Sequence, residues 1–96
     1  MKLTPKEKRK RDRVFSKLIL ARDNRICRWC GKKDGKKDCS HIINREFLPL
    51  RWSPENAITL CFRCHKCLWH KNPLLASKWI RSELGDAHCD KLLDQC

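Results

Sequence analysis

The sequence predicts a small α+β fold: a cysteine-stapled core (residues 26–71) between a basic N-terminal helix (1–25) and C-terminal helices (72–96). Three observations lead there. Apolar residues recur at helical spacing near both ends, "CSHII" and "AITL" read as short β-prone runs, and two Cys-x2-Cys pairs lie 30 residues apart between them. A chain of 96 residues is one domain with a modest core, so a staple would contribute much of its stability.

The first helix has a defined start. Thr4 is placed to act as N-cap, Pro5 suits the first helical position, and Glu7 follows three residues after the cap, as in a capping box. Val14, Phe15, Leu18 and Ile19 then form one expected buried stripe, and Asp23-Asn24 ends the helix. Its first half, "KEKRKRDR", is too charged for a core; it reads as a solvated helix end or as a phosphate-contacting arm through Lys8, Arg9, Lys10 and Arg11.

Gly31 and the run "KDGKK" signal tight turns, the latter a candidate hairpin. The two β-prone runs are separated by a loop marked by Pro49 and Pro54. A short helix is expected from Cys64 to about Lys71. Asn72-Pro73 ends it and starts another, with Asn72 as N-cap, turning Leu75, Ala76, Trp79, Ile80 and Leu84 inward as far as Gly85. Asp86 is expected to cap a last short helix bearing Leu92 and Leu93.

The net charge is +12, with 23 Lys and Arg against 11 acids. Four thiolates around one dication would lower it only to about +10. A polyanionic partner follows, nucleic acid first, although a ribosome or an anionic membrane surface satisfies the charge alone. The first fifteen residues hold no apolar signal region, and no stretch is apolar enough to cross a membrane, which predicts an intracellular, reducing setting. Metal then explains eight cysteines better than disulfides do.

Cys27/Cys30 and Cys61/Cys64 are two half-sites of a tetrahedral four-cysteine zinc cluster. Cys67, one helical turn after Cys64, is a rival to Cys61; the Cys61/Cys64 pair is preferred because it straddles a strand-to-helix turn, as Cys27/Cys30 straddles a turn. Cys39 and Cys67 read as small core or semi-buried groups, and Cys89 and Cys96 as part of an amphipathic tail.

Between the pairs lie His41, then Asn56 fifteen residues on, and His65 follows Cys64 directly. From Cys27 to about His65, with "SHII", "PENAITLC" and "CFRCH" in order, the chain resembles the HNH endonucleases, the ββα-metal nucleases, in their zinc-stapled branch. With its "NPLLASKWIRSELG" tail it is similar to the small HNH proteins of phages and prophages. The resemblance implies a ββα-metal finger and metal-dependent DNA cleavage with low sequence specificity, with phage DNA packaging and its proteins as a setting. It implies His41 as general base, Asn56 as the brace that holds it, and His65 as ligand of a catalytic cation, Mg2+ or Mn2+. A lone histidine or asparagine of this kind is more often a strand, turn or surface residue; it is their joint spacing between the cysteine pairs that carries the likeness.

One departure stands out. The family usually has Asp, sometimes His, immediately before the base, where this chain has Ser40. A hydroxyl is a weak, neutral ligand, so looser cation binding or a preference for Mn2+ or another transition metal is expected, with Asp38 on the same strand face, or Glu46, compensating. Arg45 and Arg51 flank the loop and are the expected phosphate contacts. Trp29 and Trp52 are expected to pack the loop onto the core; His70 is close enough in sequence to be a reserve ligand but lies a turn or more further along the helix, and is expected at the surface or behind the site.

Overall fold

A computed structural model describes residues 2–96. It is a small α+β structure built on a two-stranded antiparallel sheet, β1 (Lys37–His41) and β2 (Ala57–Cys61). The helices are α1 (Pro5–Arg22), the short α2 (Leu48–Arg51), α3 (Pro73–Leu84) and α4 (Asp86–Leu93). A 3-10 turn (Pro54–Asn56) leads into β2, and a π-helix (Cys64–Trp69) follows it. Among the described residues no helix is long and apolar enough to cross a membrane.

The β2 sequence "AITLC" is buried along its whole length, which lets so small a sheet act as the centre of the molecule. Strand alternation divides its side chains between two clusters. Ile58 and Leu60 pack with Cys27, Cys64, Ile80 and Cys89, against the π-helix and the C-terminal helices. Ala57 packs with Phe15 and Ile19 of α1. The pairing sets His41 opposite Ala57 and Asp38 opposite Leu60, so β1 turns His41 toward α1 and Asp38 toward the π-helix.

α1 begins as its sequence predicts: the Glu7 N–H donates to Thr4 Oγ1 at 3.2 Å, and the Thr4 hydroxyl donates to the Glu7 carboxylate at 3.1 Å. The buried stripe is narrower than expected, however. Phe15, Ile19 and Leu20 are buried, whereas Val14 and Leu18 are 56% and 64% exposed. Only one edge of the helix meets the sheet, because its end is held by polar clasps rather than by further apolar packing. Arg22 donates to the carbonyls of Pro54 and Ala57, and Asp23 accepts from the Thr59 N–H and from Arg28. After Asp23 the chain reverses through Asn24 and Arg25, both in the left-handed region.

"KDGKK" makes a turn at Gly35, φ 76°, but no hairpin, since β1 pairs only with β2 among the described residues. β1 also ends at His41, leaving Ile42 and Ile43 in the loop. Asn72 stands at the N-cap of α3, yet its amide donates backward to the Cys67 carbonyl and caps the π-helix instead. Gly85, φ 93°, joins α3 to α4, and Asp86 is the first residue of α4 rather than its cap. Ala76, Ile80 and Leu92 are buried as expected, with Trp79 and Leu84 partly so, while Leu75 and Leu93 are about half exposed. The C-terminal helices bury only the middle of their apolar faces.

Candidate functional site

Three groups of side chains give the molecule its chemistry: a cysteine cluster, a braced loop and a histidine pair. The cluster joins two turns. The Cys27 N–H donates to the Lys32 carbonyl and the Gly31 N–H to the Cys27 carbonyl, with Gly31 at φ 79°, so the first pair is folded around a tight turn. The second pair spans the end of β2, where the Cys64 N–H points at Cys61 Sγ, 3.5 Å away. The four sulfurs of Cys27, Cys30, Cys61 and Cys64 lie within 4.8 Å of one another, and can hold a metal ion. Cys30 Sγ and Cys61 Sγ are 3.7 Å apart, close to the edge of about 3.8 Å for a tetrahedron of sulfurs around zinc.

Their protonation points the same way. Burial opposes ionisation of Cys27, but backbone N–H groups outweigh it and bring the thiol down to about 7. Burial and the adjoining sulfurs push Cys64 strongly upward. Neighbouring thiolates repel, so a full set of four needs a cation among them. Cys67 is exposed, outside this group, and is not the semi-buried residue expected. The turn after β2 directs Cys61 and Cys64 inward while Cys67 follows the π-helix outward. Cys39 is half-buried and raised to about 11 by burial, and Cys89 is buried. On this side of the molecule Trp29 stacks on Trp79, centroids 4.4 Å apart, and Trp69 meets Trp79 edge-on, tying the first knuckle to α3.

The braced loop runs from β1 to β2. Asn56 is fully buried at its base. Its Oδ1 accepts from the Ile43 N–H at 2.7 Å, and its Nδ2 donates to the carbonyls of Ile43 at 3.0 Å and Leu50 at 3.1 Å. One side chain therefore pins both ends of the loop. The loop in turn fixes His41. His41 Nε2 lies 2.8 Å from the Arg51 carbonyl, which can only accept, so Nε2 carries the proton and Nδ1 the lone pair. The Phe15 ring stacks on the imidazole at 5.8 Å, and burial holds its pKa below the ordinary histidine value.

His65 points from the π-helix to Asp38 on β1, Nδ1 to Oδ2 at 3.1 Å. Its Nε2 lies 2.9 Å from Nε2 of His70. Burial, aided by His70 and opposed by Asp38, keeps His65 below the usual imidazole range. In an α-helix residues five apart point about 140° away from each other. Here the His70 N–H bonds to the His65 carbonyl, and that i→i+5 turn brings the two rings together at a tilt. His41, His65 and His70 line one cleft of about 720 Å3, with Asp12, Glu46 and Arg45 on its rim.

The other expected site residues fall in different places. Asp38 faces the Nδ1 of His65 rather than open cleft. Ser40 is buried, and its hydroxyl has no hydrogen-bond partner among the described residues. Arg45 is exposed. Arg51 is not: its guanidinium is buried against Asp12, with bonds of 3.0 and 2.7 Å, so it is already occupied and cannot meet a phosphate in this arrangement. Trp52 donates to the same carboxylate at 3.0 Å, and Arg11 lies 5.4 Å over its ring. Trp52 thus holds the loop to α1, as expected of it. Arg9, Lys10 and Arg11 are exposed and Lys8 is partly so.

Sequence reasoning passed over one residue. Asp12 gathers Arg51 and Trp52 onto α1, and its signal was that it is the lone acid in "KRKRDRV". His70 lies at the surface, as expected, and within reach of His65. No family model, no curated protein and no solved structure matches the chain.

Proposed function

We propose that this chain is a metal-dependent DNA endonuclease of the HNH, ββα-metal type, which nicks or cuts phosphodiester bonds with little intrinsic sequence specificity. The observation that carries the reading is that His41 and His65 share one polar cleft, with Asn56 buried under the loop that orients His41.

In this reading His41 is the general base. Its Nε2–H is spent on the Arg51 carbonyl, so Nδ1 takes the proton of the water attacking phosphorus. A lowered pKa keeps that nitrogen unprotonated near neutral pH. Asn56 positions His41 through the loop and has no contact with the reacting atoms. His65 Nε2 is the cation ligand, with Asp38 holding the ring from behind. A bound divalent cation, Mg2+, Mn2+ or another transition ion, supplies Lewis-acid stabilisation of the leaving oxygen. The four cysteines hold a structural Zn2+: with four thiolates no position is left open for a substrate. Arg45 and the exposed Arg9, Lys10 and Arg11 grip the DNA backbone, in keeping with the net charge of +12.

A second reading, a non-catalytic zinc-stapled module that binds nucleic acid, is favoured by one observation: Ser40, next to His41, is buried and brings no charge to a cation. Supercoiled plasmid incubated with the protein and Mg2+, Mn2+ or EDTA separates the two. Open-circular or linear product should form only with cation, and His41→Ala should slow it by about 10²–10⁴-fold. Cation-independent product, or a His41→Ala protein that cuts like its parent, would falsify the mechanism.

A further inference from the structure

We infer that His70 is a second protein ligand of the cation in the cleft, and that this pair of imidazoles selects a transition metal over Mg2+. The inference rests on the nuclease reading for what the ion does, but not for its being bound.

The geometry of the pair is the first argument. Two imidazole nitrogens each about 2.1 Å from one ion, at about 90°, are about 3.0 Å apart, and the ring centroids about 4.6 Å apart. Nε2 of His65 and Nε2 of His70 are 2.9 Å apart, with centroids 4.5 Å apart and ring planes inclined by 51°. Rings lined up end to end on a straight N–H···N bond would have centroids about 5 Å apart. The two rings therefore converge on a point beside them.

The second argument is the hydrogen-bonding of the pair. The Asp38 carboxylate can only accept, so His65 carries its proton on Nδ1 and presents a bare Nε2. A carboxylate behind a histidine fixes the tautomer and raises the basicity of a metal ligand. Without an ion, His70 Nε2–H donates to His65 Nε2. With an ion, neutral His70 places its proton on Nδ1 instead and offers a second lone pair, with no net release of protons.

The third argument is the backbone. The i→i+5 turn is what brings His70 onto His65, and such turns collect at functional sites. His70 is exposed, so its ring does not serve the core. Imidazole donors favour first-row transition ions, whereas Mg2+ prefers oxygen ligands and gives up water reluctantly. With neutral Ser40 where a carboxylate is usual, nitrogen rather than oxygen dominates the protein's share of the site.

The test uses the zinc-loaded full chain without DNA. Mn2+ is titrated while the free-ion EPR signal is followed, with Mg2+ as competitor. The parent should bind one Mn2+ in the cleft, His70→Ala should weaken it about 10–100-fold, Asp38→Asn about 10-fold, and equimolar Mg2+ should not displace it. One zinc per chain and an unchanged far-UV spectrum verify that each variant is folded. Unaltered Mn2+ affinity in His70→Ala, absence of binding in the parent, or displacement by equimolar Mg2+ would overturn the proposal. A parent that binds Mn2+ as expected but never cuts plasmid leaves the ion site standing and removes the nuclease reading. A protein that cuts while His70→Ala binds Mn2+ normally removes His70 alone.

Discussion

Replacing Asn56 by alanine tests the brace beneath the loop. The side chain is fully buried and makes three bonds, of 2.7, 3.0 and 3.1 Å. Leu50 is buried, so its carbonyl would be stranded at a cost of about 1–3 kcal/mol. Ile43 is partly exposed, and water can reach its N–H and carbonyl; losing those two bonds costs about 0.5–1.5 kcal/mol each. The sum is about 2–6 kcal/mol, against a stability on the order of 5–15 kcal/mol for a domain of this kind. At about 4–8 °C per kcal/mol, even the lower bound moves Tm by about 8–16 °C. Denaturant and thermal unfolding of the zinc-loaded protein measure it, with the His41 imidazole followed by NMR. Burial lowers the His41 pKa more than the Arg51 carbonyl raises it, so loosening the loop and admitting water should let that pKa rise toward that of a free histidine. Asn56→Asp keeps the shape but turns a carboxylate oxygen toward two carbonyls. Relative to the parent it should lose stability as pH rises above about 4, because its carboxyl stays protonated longer in the folded state. A loss under about 1 kcal/mol in Asn56→Ala, or an Asn56→Asp protein as stable as the parent at pH 7, would refute the brace.

The cysteine cluster makes a sharper pair of variants. Cys61→Ser should lose the bound zinc, read by elemental analysis, and with it most of the cooperative unfolding transition; Cys67→Ser should keep one zinc per chain, and the reverse pattern would exchange their roles. Asp12 sets an acid limit on stability. Bonding to Arg51, opposed by burial and assisted by Trp52, lowers its pKa. Its contribution is therefore full above about pH 4, the unfolded value, and disappears as pH falls through the lower folded value. Asp12→Asn should flatten that part of the stability–pH curve, and an unchanged curve would exclude the pairing.

Local features were legible in the sequence. The Thr4 cap, the turns at Gly31 and Gly35, the junction at Gly85 and the two cysteine pairs each depend on a few neighbouring residues, and the structure contains all of them. Contacts between distant segments were not legible. Arg51 was expected at a phosphate because nothing near it in sequence reveals Asp12, 39 residues earlier. Val14, Leu18, Leu75 and Leu93 satisfied helical periodicity yet face solvent, because periodicity locates an apolar face without saying how much of it finds a partner. His70 lies at the surface as expected, but its contact with His65 was hidden for a third reason: a helical projection assumes 3.6 residues per turn where the backbone takes a wider one.

Because His65 and His70 meet only through that wide turn, their pairing is robust to one change of length and fragile to another. Removing one residue from the segment between them would return it to ordinary α-helix, where positions four apart are neighbours again. Adding one residue would part the rings. A histidine four residues after His65 on an ordinary α-helix would thus lie beside it much as His70 does here.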